Sequence, residues 1–211
     1  MPLGDINDVL PGIVSGETVL VEYPSDVSPE LFLLALHRYA RERGFSFIVD
    51  DILDTFPGYI TRLKLRGVDV SDILRVPVIK IGGTQRLGDV KGTIDVDHHS
   101  LDFRYYERVY RESKGSFVIN PVVGFHKFFI TLKDRELLRL IRNVAGFVGR
   151  RDRIAFYLLN SDIAEVTYPG HLALMREVST TLIRLEKEGS ETVVRIIRSV
   201  NPKLEGVTVV F

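Results

Sequence analysis

The sequence contains no cysteine and no tryptophan. The missing cysteines exclude disulfides, zinc–thiolate sites and cysteine nucleophiles, and they fit a reducing compartment. No apolar run approaches the roughly 18 residues needed to span a bilayer. The first nine residues carry Asp5 and Asp8 but no basic side chain, so no secretory signal is expected. We therefore expect a cytoplasmic protein without a membrane segment.

The chain also lacks an excess of charge of either sign, since 28 Lys and Arg residues balance 28 Asp and Glu residues. A dedicated duplex nucleic-acid binder usually has a basic excess, so nucleic acid is an alternative partner that the charge does not favour. Charged residues make up 27% of the chain, a share that suits a thermophile. We expect residues 1–211 to form one domain, because that length buries a sizeable core and no linker interrupts it.

Apolar, β-branched segments alternate with helical segments along most of the chain. Buried core strands are predicted at Thr18–Tyr23, Phe45–Val49, Ser116–Asn120 and Arg153–Leu159. Such alternation predicts a mostly parallel sheet with helices on both faces. The segment Thr180–Phe211 follows, and its Gly-Ser turn predicts an antiparallel C-terminal hairpin and a last strand.

Two terminal segments carry a family resemblance. The segment GIVSGETVLVEY is similar to the stretch before the phosphate loop of the RecA, RadA and KaiC ATPases, and TTLIRLEKEGSETVVRIIRSVNPKLEGVTVVF resembles the KaiC-type ending. More narrowly, GETVLVEYPS, IVDDILDT and VIKIGG resemble an archaeal family of uncharacterised proteins on this fold. The resemblance covers nearly the whole chain and implies a RecA-like (P-loop NTPase-type) doubly wound sheet in one KaiC-like domain.

The turn that corresponds to the phosphate loop lacks the residues that bind ATP. The motif GxxxxGK[ST] needs glycine N–H groups around the phosphates, a lysine and a magnesium-binding hydroxyl. The turn has no glycine and no lysine, its two prolines lack an N–H, and its two acids put negative charge at a helix N-terminus. It reads Tyr23-Pro24-Ser25-Asp26-Val27-Ser28-Pro29-Glu30.

The second ATPase motif, Walker B, is also degenerate. The resemblance places an acid at the end of the strand SFVIN, where this sequence has Asn120. An amide is a neutral and weaker ligand for a hard cation than a carboxylate. We therefore expect a pseudo-ATPase that is not an enzyme and has no cofactor.

Two further segments have a binding interpretation beside a structural one. Asp50, Asp51 and Asp54 occupy a position similar to the acidic pair that activates water in KaiC-like enzymes, but helix capping or a solvated rim is the simpler role. The glycine-rich segment Gly82–Lys91, with Arg86, is expected to be a hairpin connection or an edge excursion between two strands. Phosphate binding by its glycines is the alternative.

The triplet Asp97-His98-His99 resembles the metal motif of the DHH phosphoesterases. Those enzymes need further acidic motifs and a Gly-Gly-Gly-His loop, and this sequence has neither. Neighbouring residues of an extended chain also point to opposite faces, so a polar strand end that leads into a helix is the simpler interpretation.

A run of arginine and tyrosine completes the candidate sites. Its composition is typical of protein interfaces and of single-strand nucleic-acid sites. We therefore expect a non-catalytic scaffold that self-associates as a homo-oligomer and binds a protein or peptide. A recombinase-paralogue-like nucleic-acid or nucleotide binder and a DHH-type phosphoesterase are the alternatives. The partner-binding candidates are Arg104, Tyr105, Tyr106, Arg108 and Tyr110.

Overall fold

The computed structural model describes residues 6–96 and 103–210. Its strands are β1 Thr18–Tyr23, β2 Ser46–Phe47, β3 Val49–Ile52, β4 Pro77–Ile81, β5 Asp89–Ile94, β6 Val118–Val123, β7 Arg153–Asn160, β8 Thr181–Glu188, β9 Glu191–Arg198 and β10 Thr208–Val210. Its α-helices are α1 Ile6–Val9, α2 Pro29–Arg43, α3 Thr55–Leu65, α4 Phe103–Ser113, α5 Phe128–Thr131, α6 Asp134–Phe147, α7 Ser161–Thr167 and α8 Pro169–Val178.

All described strands belong to one sheet in the order β10-β9-β8-β1-β7-β6-β3-β4-β5, with β2 also paired to β6. Pairs from β8 to β5 are parallel, whereas β8–β9 and β9–β10 are antiparallel. This confirms the predicted mostly parallel sheet with an antiparallel C-terminal hairpin. The predicted boundaries of β1 are also correct.

Apolar residues cover both faces of the central strands, as continuous hydrophobic strands require. On β1, Val19 and Val21 face a core that α2 and α3 complete, while Leu20 faces a second core built with α4, α5, α6 and α8. Every residue of β1 and β7 is buried. The central strands therefore form an internal layer between helices.

The strand β6 does not end at Asn120, so that prediction is wrong. It continues through Pro121 to Val123, and Asn120 lies in its middle. Ile48 donates its N–H to the Ile119 carbonyl, so a parallel ladder would bring the next donor to the Ile48 carbonyl from residue 121. Proline has no such donor, and the Asn120 amide donates to Ile48 O instead, at 2.9 Å.

The glycine-rich segment is not a hairpin connection, because β4 and β5 are parallel. Residues 82–88 return the chain from the end of β4 to the start of β5 along the sheet edge. Left-handed φ angles at Gly82, Gly83 and Gly88 make so short a return feasible, since glycine adopts them without a Cβ clash. The other expectation, an edge excursion, describes the segment correctly.

Candidate functional site

The carboxyl ends of the central parallel strands surround a cleft of about 420 Å³. In open α/β sheets, ligands bind at this edge, where the strand order reverses. The turn after β1, the start of α3 and the chain after β6 and β7 supply its walls. The cleft is lined by Tyr23, Ser25, Asp26, Val27, Ser28, Pro29, Asp54, Thr55, Gly58, Tyr59, Arg62, His126, Lys127 and Asn160.

The turn after β1 is closed by a carboxylate of the protein itself. The Ser25 N–H donates to Asp162 Oδ2 at 2.8 Å, and this bond holds the pKa of Asp162 below its usual range. The Asn160 amide donates to Ser25 Oγ at 3.1 Å. The Ser25 N–H, a backbone donor that could reach a phosphate, is therefore already paired. The sequence did not predict this bond, because Asp162 is 137 residues away.

Two tyrosines and a histidine form the floor of the cleft. The hydroxyls of Tyr23 and Tyr59 are 2.8 Å apart, and Tyr23 Oη lies 3.5 Å from His126 Nδ1. Burial raises the pKa of Tyr23 to about 12 and lowers the pKa of His126 to about 4. All three side chains are therefore neutral at pH 7, and they offer hydrogen bonds without charge.

The two cations that line the cleft differ in their partners. Arg62 Nε donates to the buried Glu30 at 3.1 Å, and its guanidinium lies over the Tyr59 ring. Lys127 Nζ donates to the Leu53 carbonyl at 2.6 Å and makes no ion pair with any residue that the structure describes. Burial lowers the pKa of Lys127, although the nearby carboxylates of Asp51 and Asp54 favour its charged form.

Asp51, within β3, and Asp54, after it, have structural roles, and they do not form a solvated rim. Asp51 accepts the Phe56 N–H at 2.8 Å, so it caps α3, as the helix-capping prediction proposed. Asp51 also pairs with the buried Lys80 at 2.8 Å. Asp54 accepts from Lys80 at 2.6 Å and from the N–H groups of Thr84 and Gln85. Although burial opposes it, these bonds lower the pKa of Asp54. They also occupy donors that a phosphate at the glycine-rich segment would need.

Asp50 lies on the opposite face of the sheet, under α4. Its Oδ2 accepts the Tyr106 hydroxyl at 2.7 Å, and its Oδ1 has no hydrogen-bond partner among the described residues. Burial raises the pKa of Asp50 to about 6, against the effect of the Tyr106 hydrogen bond. This carboxyl is therefore remote from the cleft and poorly suited to activate water there.

The interpretation of Tyr106 and Tyr110 as partner-binding residues is wrong. They are 8% and 1% exposed, because positions 106, 109 and 110 form the face of α4 that packs in the second core. Arg104 and Arg108 are exposed, and Arg108 lies over the Tyr105 ring at 5.0 Å. Of the five predicted partner-binding residues, Arg104, Tyr105 and Arg108 are therefore the ones that remain at least partly exposed.

Asn120 does not occupy a metal-facing strand end, because the end of β6 is Val123. Its Oδ1 accepts from Arg153 at 3.2 Å, and Arg153 is only 3% exposed. Asp97, His98 and His99 lie outside the described residues. Within 6–96 and 103–210, no cluster of three His, Asp or Glu side chains could hold a metal ion.

The fold and the position of the cleft define a RecA-like α/β protein. Flagellar accessory protein FlaH from Methanocaldococcus jannaschii superposes with a TM-score of 0.61 at 15% identity, covering 100% of this chain and 92% of FlaH. KaiC-like protein PH0186 from Pyrococcus horikoshii OT3 gives 0.59 at 12% identity, with 94% and 91% covered. The predicted fold class is confirmed.

The chain belongs to the family described as "Pyrococcus protein of unknown function, DUF257", which matches residues 8–210. The Pyrococcus horikoshii OT3 protein of structural project PH0250 is similar, with 32% identity, 98% of each chain covered and a TM-score of 0.87. No curated protein matches the sequence. The helices in the described part of the chain include none that is long and apolar enough to cross a membrane.

Proposed function

We propose that this protein is a pseudo-ATPase, a RecA-like binding or scaffold protein that neither binds nor hydrolyses ATP. The observation that carries the proposal is the closed turn after β1, where the Ser25 amide is held by Asp162 and no lysine or glycine is present. Phosphoryl transfer depends on positioning and on neutralising phosphate charge, and this turn supplies neither.

The charges around the turn act against a phosphate. Asp26 is exposed beside the cleft, and Glu30 is buried in the first turn of α2. The Glu30 charge is compensated by Arg62 at 3.1 Å, and the charge of the exposed Asp26 is screened by solvent. The carboxylate that a triphosphate would meet is that of Asp162, which it would have to displace from Ser25. Two like charges 4 Å apart repel by about 4 kcal/mol at an effective dielectric constant of 20.

The surface of the protein supports binding and self-association. The sheet ends at β5 on one side and at β10 on the other. β5 carries Asp89 and Lys91, and charges of this kind discourage pairing with another strand. β10, Thr208–Val210, carries no charge, so we assign self-association to its edge through backbone pairing. The Arg104, Tyr105 and Arg108 surface adds a composition favoured at interfaces with a protein or peptide.

The ATP part of the proposal is tested by calorimetry with ATP and magnesium, together with a phosphate-release assay. We expect no saturable heat and no hydrolysis above the protein-free background. The variant Asp162→Asn, which removes the charge that holds Ser25, should not restore binding because the lysine and glycines are still missing. Saturable ATP binding to the unmodified protein would refute the pseudo-ATPase assignment.

Light scattering on the same preparation tests self-association. We expect a mass above that of the 23.9 kDa chain, and we expect Val210→Lys to lower it, because a charge on an edge strand opposes pairing. A strictly monomeric protein would contradict the scaffold role. Tight binding to single-stranded DNA that weakens steeply with salt would favour the nucleic-acid alternative instead.

A further inference from the structure

The helices α4 and α6 carry the same arrangement of arginines on their outward sides. Both pack on the second core, through Tyr106, Val109 and Tyr110 and through Leu137, Leu140, Ile141 and Val144. Opposite these buried positions, each helix has three exposed arginines at i, i+4 and i+7, which share one helix face. They are Arg104, Arg108 and Arg111, the α4 ridge, and Arg135, Arg139 and Arg142, the α6 ridge. Because both helices cover one face of the sheet, both ridges face away from it on the same side.

The acids of the two helices lie beside the ridges and leave most of the arginines without an ion pair. Three of the four acids interact elsewhere in the chain, Glu107 with Arg150, Asp134 with His171 and Glu136 with the Lys133 N–H. The fourth acid, Glu112, is exposed and pairs with no ridge arginine. Among the described residues, the three arginines of the α6 ridge form no ion pair, and neither do Arg108 and Arg111. The chain is neutral overall, so this outward face is a local basic patch.

The spacing of the arginines indicates the kind of anion that fits a ridge. Positions i, i+4 and i+7 are separated by about 6 Å and about 4.5 Å along the axis, since a helix rises 1.5 Å per residue. Carboxylates at i, i+4 and i+7 of a parallel helix, or at i, i+3 and i+7 of an antiparallel one, have the same spacing. A guanidinium binds a carboxylate through two parallel hydrogen bonds, and arginine is enriched at protein interfaces.

The same face is less suited to nucleic acid or to a second copy of the chain. Single-strand sites add aromatic rings on which bases stack, but the exposed residues of α6 include no aromatic side chain. On α4, Arg108 lies over the Tyr105 ring at 5.0 Å. No described helix of the chain presents three carboxylates at the required spacing, so a second copy does not supply a matching helix.

We propose that the outward face of α4 and α6 binds an acidic helical segment of another protein, whose carboxylates pair with the arginines of the two ridges. The inference rests on the proposed function and deepens it, because it gives the protein partner a site and a chemical class. One exposed ion pair changes an affinity only about 1.5-fold to 5-fold, so binding at this face requires several pairs that form together.

Fluorescence anisotropy with the full chain and two labelled peptides tests the inference. Both peptides are alanine-based, capped at both ends and about 20 residues long, which is enough for a helix to form. One carries glutamates at the ridge spacing on a single face, and the other carries the same number spread around the helix. We expect the first to bind about tenfold more tightly, and we expect its affinity to fall as salt rises, because exposed charges are screened.

Glutamine variants locate the binding surface. The triple variant Arg135→Gln, Arg139→Gln and Arg142→Gln removes the charge of the α6 ridge and should weaken binding of the single-face peptide about tenfold or more. The same substitutions in the α4 ridge should also weaken it. The matched control removes three exposed charges outside both helices, by Arg38→Gln, Lys64→Gln and Arg75→Gln, and should leave the affinity unchanged.

Equal binding of the two peptides overturns the inference, and an equal loss in the control variant does so too. Tighter binding of a single-stranded oligothymidylate would assign the face to nucleic acid, and tighter binding of vesicles with anionic phosphatidylglycerol would assign it to a membrane. Either result overturns the inference as well. The peptide comparison uses the unmodified protein, so it does not depend on how the variants fold. Saturable ATP binding would refute the proposed function whatever the peptides do, whereas absence of both ATP and peptide binding would remove the inference alone.

Discussion

At the scale of single residues, the Asn120 side chain supplies a hydrogen-bond donor that the backbone of β6 lacks. Pro121 deprives the β6 ladder of a donor, and Asn120 supplies a donor to Ile48 O. It also accepts from the buried Arg153. The residue therefore has a structural reason to be an amide, because a carboxylate could not donate to a carbonyl.

Asn120→Ala should destabilise the protein by about 2–4 kcal/mol, since it leaves two buried polar groups without partners. In a Pro121→Ala background the cost should be about 1 kcal/mol smaller, because the restored backbone N–H can bond to Ile48 O. Urea denaturation of the four proteins of this double-mutant cycle measures the difference. Strictly additive costs would show that the Asn120 amide does not replace the missing donor.

At the scale of elements, the junction after β6 positions His126 and Lys127 at the cleft. Gly124 has φ of 84°, in the left-handed region that glycine tolerates. A Cβ there would overlap Thr55 Oγ1 and approach the Ile52 carbonyl oxygen to 2.8 Å. Thr55 donates to that same carbonyl, so the end of β3, the start of α3 and this junction are packed together.

Gly124→Ala should therefore cost about 2–3 kcal/mol in stability, because it adds steric overlap to backbone strain. Gly146→Ala is the control, since Gly146 lies within α6 and a Cβ there meets nothing within 4 Å. That change should stabilise the protein by about 0.5–1 kcal/mol. Thermal denaturation compares the two variants, and equal losses would contradict this account of Gly124.

At the scale of the whole molecule, two buried groups make the stability depend on pH in opposite directions. Asp50 retains its proton to about pH 6 in the folded state, against an ordinary pKa of 3.8, so its contribution falls as pH rises from 4 to 6. His126 has a folded pKa of about 4 against 6.5, so its contribution rises over the same window. Each effect is of the order of 3 kcal/mol.

In the unmodified protein the effects of Asp50 and His126 largely cancel, and the buried His37, whose pKa burial also lowers, should leave a slight rise in stability between pH 4 and 6.5. Asp50→Asn should make this rise much steeper, because His126 and His37 then act without opposition. His126→Gln alone should make the stability fall as pH rises from 4 to 6, because the raised pKa of Asp50 then dominates. Urea midpoints at half-unit pH steps measure the profiles, and identical shapes for both variants would disprove the assignment.

Several features follow from the sequence because they depend on local composition. The continuous apolar runs predicted where the buried strands lie, and the boundaries of β1 are correct. The segment predicted as one strand, Phe45–Val49, forms two strands instead, Ser46–Phe47 and Val49–Ile52. The alternation of strands with helices predicted the parallel sheet and its C-terminal hairpin. The sequence shows directly that no glycine or lysine lies between Tyr23 and Glu30. The absence of the phosphate-binding motif from this turn could therefore be predicted without a structure.

Other features depend on which distant segments meet, and only the tertiary structure decided them. Asp162 reaches Ser25 across 137 positions of the chain, and Tyr106 reaches Asp50 across 56. The tyrosines and arginines of α4 are residue types that occur both on surfaces and in cores. Only the packing of the helix shows which of them are buried. Lys127 shows the same dependence, because the fold brings its ammonium to the Leu53 carbonyl, 74 positions away in the chain.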